Sequence, residues 1–305
     1  MTDRHNNSDY WSRLVRLFLV ALIFGITLGL GGYVALTSAV YAHLLTHPGC
    51  RRTPQRPADV GLTNAESIQY PSHDGIPIDA WYVPPQNGTV ILLIPGLTGA
   101  RERVLSKGSV LAEHGYGLLL TDLRSCATED GMTTLGHHES RDVEQAVDWI
   151  TDQPEVERVG ALGYSLGGVS AVLAAARDPR VEAVVNEGGF YDLAGDIRDE
   201  GNDPSLWKRA FYEAVLFFYR LETGIDPEQV STINVIDQIA PRPLLLIYGE
   251  REVGSGRAVE QLEAAGERKR LWVVPGCGHG NYLAADPEGW EETVVGFFDG
   301  AFGGQ

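Results

Sequence analysis

Gly163-Tyr164-Ser165-Leu166-Gly167-Gly168 lies between an apolar run, Val159 to Leu162, and a run of small helix-forming residues, Val169 to Ala176. The pattern predicts a strand, a tight turn and a helix, with a serine at the turn. G-x-S-x-G in that context describes a nucleophile elbow, so tight that only glycines leave room around the serine. Ser165 Oγ is then pushed out above the sheet edge, and the Leu166 N–H opens a helix where an oxyanion can be held. With 36 glycines in the chain, the five-residue pattern alone says little. The strand before it and the helix after it give it weight.

An elbow serine is inert without a base and an orienting acid. Pro243-Leu244-Leu245-Leu246-Ile247-Tyr248-Gly249 reads as a buried parallel strand ending in a turn, followed by Glu250-Arg251-Glu252. Leu271-Trp272-Val273-Val274-Pro275 reads as the next strand, and Gly276-Cys277-Gly278-His279-Gly280 as its exit loop. Both polar candidates leave the carboxyl ends of strands, where parallel sheets place their ligands. His279 is expected to take the serine proton, while Glu252 fixes the imidazole tautomer and stabilises the imidazolium. Glu252 is favoured over Glu250 because Gly249 and Glu250 are left to make the turn; the other glutamate is a solvated loop charge. His73, His114, His137 and His138 read as ordinary helix-end or turn residues.

A second oxyanion donor is expected after an early strand. Thr89-Val90-Ile91-Leu92-Leu93-Ile94 is β-branched and apolar, and it ends at Pro95-Gly96-Leu97-Thr98-Gly99. The Leu97 N–H is the candidate, to act beside that of Leu166. The plainer alternative is a strand-to-helix connection.

These segments, together with Ser72-His73-Asp74-Gly75-Ile76, Gly115-Tyr116-Gly117, Thr121-Asp122-Leu123-Arg124, and Leu135-Gly136 with Glu139 to Trp149, resemble the α/β-hydrolase superfamily. The likeness is greatest to bacterial single-pass, esterase-like members related to the prolyl-oligopeptidase and serine-aminopeptidase branches, and it covers most of Glu66 to Phe298. It implies an α/β fold: a mostly parallel sheet flanked by helices, with a small helical cap, performing acyl transfer through Ser165, His279 and Glu252. Two positions depart from the family pattern. Pro95 stands where the family usually carries His before the oxyanion glycine. Ser125-Cys126-Ala127-Thr128 follow Asp122-Leu123-Arg124 in place of a Gly-rich turn.

Composition narrows the function classes. The chain is 44% hydrophobic and 21% charged, with 24 basic against 41 acidic residues and a net charge of −17. That excess of negative charge argues against nucleic acid as a partner, and against adsorption to anionic lipid as the main tether. Neither a Cys/His spacing for metal nor a glycine-rich nucleotide loop is found, so no cofactor and no metal are expected. Oligomeric state is not encoded in any feature of the sequence.

Between Arg16 and His43 lie 26 uncharged residues, more than the ~20 needed to cross a hydrocarbon core. A cleaved signal peptide ending at Val40-Tyr41-Ala42 and a buried core helix are the rival readings; the first has too long an apolar region and the second an unsuitable terminal position. Residues 1–16 then form a polar start, 17–42 a transmembrane helix, 43–65 a linker and 66–305 the hydrolase domain, with a cap at about 188–240 carrying an aromatic-rich helix. The span is expected to have no partner in the domain core, so that removing residues 1–42 leaves a soluble, active enzyme. Arg4, Arg13 and Arg16 tie in number with Arg51, Arg52 and Arg56 but lie closer to the span, which favours an external catalytic domain. Of three cysteines, Cys126 and Cys277 fall at the expected catalytic edge, and a bond between them is one open pairing; Cys277 lacks an elbow of its own. The expected activity is hydrolysis of a carboxylic ester or small amide, with a small-peptide peptidase and a catalytically silent membrane-anchored binding module as alternatives.

Overall fold

A computed structural model describes residues 4–200 and 205–303; the expectations for residues 1–3, 201–204 and 304–305 lie outside the described residues. The apolar runs form eight strands: β1 (Glu66–Pro71), β2 (Pro77–Val83), β3 (Thr89–Ile94), β4 (Gly117–Thr121), β5 (Arg158–Tyr164), β6 (Val181–Glu187), β7 (Leu244–Gly249) and β8 (Lys269–Val274). They make one sheet in the order β1-β2-β4-β3-β5-β6-β7-β8. A hairpin around Asp74-Gly75 joins β1 and β2, and β2 pairs antiparallel with β4. Every other pairing is parallel. β3, β4 and β7 are buried along their whole length, as continuous apolar strands must be when helices cover both faces.

The helices are α1 (Arg4–Thr46), α2 (Leu105–Glu113), α3 (His137–Thr151), α4 (Leu166–Arg177), α5 (Leu193–Glu200), α6 (Leu206–Thr223), α7 (Ala258–Ala264), α8 (Tyr282–Ala285) and α9 (Pro287–Phe302). On one face of the sheet, Val143, Val147 and Ile150 of α3 pack with Val169 and Val172 of α4. On the other, Leu105 and Leu111 of α2 join Trp290, Val294 and Phe298 of α9. Apart from Leu62, which joins the second cluster, the buried residues of these layers come from beyond residue 65, with one further addition.

That addition is the end of α1, and it overturns the expectation of a span without a partner. α1 is one unbroken helix through Thr46, so the proposed boundary at residue 42 falls inside it. Ser38, Ala42 and Thr46, at intervals of four, are fully buried. Small residues on one stripe let a second helix approach closely, and α6 fills that position. Ser38 Oγ donates to the Phe211 carbonyl at 3.0 Å, Tyr41 meets Phe211 edge to face, and Thr46 Oγ1 donates to Glu222 Oε2 at 2.6 Å. His43 Nδ1 lies 2.7 Å from the other Glu222 oxygen.

The segment after α1 is also fastened. Cys50 forms a disulfide with Cys126, with the Cα atoms 4.8 Å apart. Cys126 is therefore not available to Cys277, which is a buried free thiol; the pairing left open between those two is corrected. Arg51 N–H donates to the Thr98 carbonyl (3.1 Å) and Arg52 to Asp122 Oδ2 (2.7 Å). The stretch expected to be a linker is a clasp.

These contacts locate a safe truncation. A chain beginning at residue 34 keeps Ser38, Tyr41, Ala42 and Thr46 on α6, and is expected to unfold at the same denaturant concentration as the full-length domain. A chain beginning at residue 48 uncovers Phe211 and its neighbours, and is expected to lose about 2–4 kcal/mol. Urea unfolding followed by near-UV circular dichroism checks both.

Candidate active site

The turn between β5 and α4 is closed by contacts that exclude any side chain. A Cβ on Gly163 would meet the Gly167 carbonyl oxygen at 2.1 Å, and one on Gly167 would meet the Ile94 carbonyl oxygen at 2.2 Å. Between them Ser165 is held at φ 53° and ψ −117°, a strained conformation for a residue with a Cβ. Its N–H donates to the Glu187 carbonyl at 2.7 Å, which ties the turn to the end of β6.

The side chains singled out in the sequence come together here. His279 Nε2 lies 3.0 Å from Ser165 Oγ, and His279 Nδ1 lies 2.6 Å from Glu252 Oε2. The second Glu252 oxygen accepts from the Gly249 N–H at 2.9 Å and from the Tyr282 hydroxyl. Burial pushes the Glu252 carboxyl up, but the hydrogen bonds from His279, Tyr282 and Gly249 outweigh it and hold it below the ordinary glutamate value. Glu250 is turned elsewhere, accepting from the Gly276 N–H at 2.8 Å. Tyr282 carries no motif of its own; only its place three residues beyond His279, opening α8, hinted at the role.

Leu97 sits above the same turn. A Cβ on the preceding Gly96 would come within 3.3 Å of the Ser165 Cβ and 3.0 Å of the Tyr164 ring. Among the described residues, neither the Leu97 nor the Leu166 N–H is used by a turn, loop or cap hydrogen bond. Cys126 braces this loop from the far side, its sulfur 3.7 Å from the Thr98 carbonyl. The loop that departs from the family pattern at Ser125-Cys126 thus supports the loop that departs from it at Pro95.

Beneath the turn lies a buried ion pair that sequence reading missed. Lys107 Nζ contacts Glu187 Oε2, and Trp290 Nε1 donates to the other Glu187 oxygen at 2.6 Å. The ammonium also stands 4.9 Å from the centre of the Tyr164 ring. Burial, followed by the negative fields of Glu252 and Glu187, pushes the Tyr164 hydroxyl up to about 12, so it stays neutral. Lys107 stands in α2 with no motif around it, and only the fold brings it to β6.

A cleft of about 590 Å³ opens beside His279 and Glu252, bordered by Phe190, Asp196, Asp199 and Arg257. Arg257 pairs with Asp199 and lies 4.3 Å over the Tyr191 ring. The remaining histidines lie elsewhere. His73 bonds Asp142 at 2.9 Å and stacks on His138, and His114 bonds Glu291 at 2.9 Å. Among the described residues, two groups could hold a metal by atom spacing alone, His43 with His47 and Glu222, and His73 with Asp74 and Asp142. In the second, Arg124 already occupies both carboxylates.

Comparison with known proteins is consistent with this architecture. A curated relative in Pseudomonas aeruginosa, itself uncharacterised, is 28% identical over 214 residues, covering 52% of this chain and 57% of that one. A thiohydrolase of Arthrinium phaeospermum is 26% identical over 224 residues, covering 63% and 72%. The chain spans about half the length of the first curated relatives it matches. An esterase of Pyrococcus furiosus shares the fold with a TM-score of 0.65 at 20% identity, over 83% of this chain and 98% of that one. The family model of the X-Pro dipeptidyl-peptidases (S15 family) matches residues 41–273, a stretch that holds Ser165 and Glu252 and stops short of His279. By that match over most of its length, built on an α/β-hydrolase fold, the chain belongs to the S15 peptidase family.

Proposed function

We propose that the protein is a serine hydrolase that cleaves a carboxylic ester through a covalent acyl-enzyme. The observation that carries this reading is the unbroken hydrogen-bonded chain from Ser165 Oγ through His279 to Glu252 at a strained turn. In the first step His279 Nε2 takes the hydroxyl proton as Ser165 Oγ attacks the carbonyl carbon. Glu252, kept ionised by its three donors, holds the Nδ1 proton and stabilises the imidazolium. The Leu97 and Leu166 N–H groups receive the oxyanion. The imidazolium then protonates the leaving alcohol, and water repeats the sequence to release the acid. Membership of a peptidase family favours a second reading, in which a short peptide or amide is the substrate of the same machinery.

The membrane anchor belongs to the same proposal. α1 is long and apolar enough to cross a bilayer, and cleavage after Ala42 would remove residues buried against α6, which supports retention. The Cys50–Cys126 disulfide supports an oxidising compartment for the catalytic domain, and so an external one.

Fluorophosphonate labelling in detergent tests the nucleophile. Ser165→Ala is expected to abolish labelling and to lower p-nitrophenyl ester turnover by about 10⁴-fold or more, with an unchanged circular dichroism spectrum. Labelling of the variant at the wild-type rate overturns the assignment. A panel of p-nitrophenyl esters set against dipeptide and proline-containing anilides then separates esterase from peptidase.

Substitution of the acid tests the other end of the chain. Glu252→Gln is expected to reduce turnover by about 10³–10⁴-fold, whereas Glu250→Gln stays near wild type. Stability carries an independent mark. Because the folded carboxyl of Glu252 titrates below its unfolded value, its contribution is complete above about pH 4.3 and is lost as pH falls through the depressed native value. Urea unfolding of wild type and Glu252→Gln should therefore differ most near neutrality and converge in acid.

A further inference from the structure

α6 presents three faces at about 100° per residue. Val215, Leu216 and Tyr219 are buried, and the Tyr219 hydroxyl donates to the Thr134 carbonyl at 2.7 Å, turning that side to the domain. Phe211 and Glu222 face α1. The third face, adjoining the α1 seam, carries Leu206, Ala210, Phe217 and Leu221, with Trp207 at its edge. Its large side chains are exposed: Leu206 77%, Trp207 57%, Phe217 58% and Leu221 70%. Arg209, Glu213 and Arg220 bound it on the far side. A surface of this kind facing water marks an interaction site.

Two features indicate what covers it. α1 itself exposes an apolar row, Leu36, Val40 and Leu44 at intervals of four, on the side turned away from the Ser38, Ala42 and Thr46 stripe. Depth is the second. Ser38 meets Phe211 and Thr46 meets Glu222, so the two helices run side by side in the same direction. Leu206 and Trp207, in the turn before Phe211, therefore lie beside the uncharged stretch of α1 that precedes Ser38. A helix held there meets the same medium as α1 does.

We infer that the first turn of α6, with Leu206 and Trp207, is seated at the edge of the hydrocarbon layer of the bilayer that α1 crosses. This rests on the reading of α1 as a membrane span. The net charge of −17 makes the contact one of apolar burial rather than attraction to anionic headgroups. Arg209 has a stem long enough to carry its charge out to headgroup level. Arg198 of α5 bonds Glu213 of α6 at 2.9 Å, and α5 supplies the Asp196 and Asp199 edge of the cleft. The seated helix is thereby joined to the wall beside His279.

Tryptophan quenching by brominated phosphatidylcholine tests this with the full chain in vesicles. Wild type, Trp207→Phe and Trp11→Phe are compared in brominated and ordinary lipid, and each difference spectrum reports one indole. Trp207 is expected to lose most of its emission in brominated lipid. If Trp11 is quenched while Trp207 is not, the α6 inference is overturned and the anchor reading stands. An unquenched Trp207 accompanied by a crosslinkable dimer gives the face to a second copy, which also overturns it. If neither indole is quenched and the protein fails to float with the vesicles, the anchor reading falls as well.

Discussion

The close approach of α4 to the ends of β3 and β5 is the constraint on which the rest of the molecule turns. Backbone touches backbone at Gly163 and Gly167, with no room for a single carbon. The chain can leave β5 and enter a helix there only by forcing Ser165 into a left-handed conformation, which lifts its hydroxyl clear of the sheet. The strain, of order 1–3 kcal/mol, is held by the hydrogen bond from the serine N–H to β6 and by the packing of a wholly buried helix start. Because three parallel strands meet at this point, the loops after β7 and β8 arrive on the same edge. His279 and Glu252 need travel only a few residues to reach the hydroxyl.

Much of this was legible in the chain because the features concerned are local. An apolar strand, a glycine-flanked serine and a run of small helix formers lie within one short stretch, and the two later strand ends each carry one polar candidate. The choice of Glu252 over Glu250 followed from how many residues the turn consumes, and the two glutamates do diverge, one toward His279 and the other to Gly276. What failed was non-local. Whether a cysteine in one loop meets one in another depends on where residues 47–56 run, and nothing near Cys50 announced that its partner is Cys126. Lys107 and Glu187 are far apart in sequence and meet only across the sheet.

The end of α1 was misread for a related reason. Its uniform apolarity fits a bilayer, and uniform apolarity hides a packing face. The stripe of Ser38, Ala42 and Thr46 is visible once α6 is known to lie on it, but small residues spaced by four also occur in helices that touch nothing. The polar Ser38 and Thr46 were the better hint, since each places a hydroxyl where the neighbouring helix offers an oxygen. The aromatic helix, in turn, divides its rings between packing and solvent: Phe211 and Tyr219 are engaged, whereas Trp207 and Phe217 are not buried.

The clasp formed by Cys50, Arg51 and Arg52 has a mechanical meaning. Thr46 ends α1 and Cys50 is already fastened beside the Thr98 loop, so the chain between them has almost no slack. A domain hung from a long tether sweeps a hemisphere and meets targets at many angles. This one is bolted to its own stalk at two sites, along α6 and at the disulfide. Stalk and sheet tilt as a single lever, and whatever grips the far end of α1 also sets the height and heading of the serine.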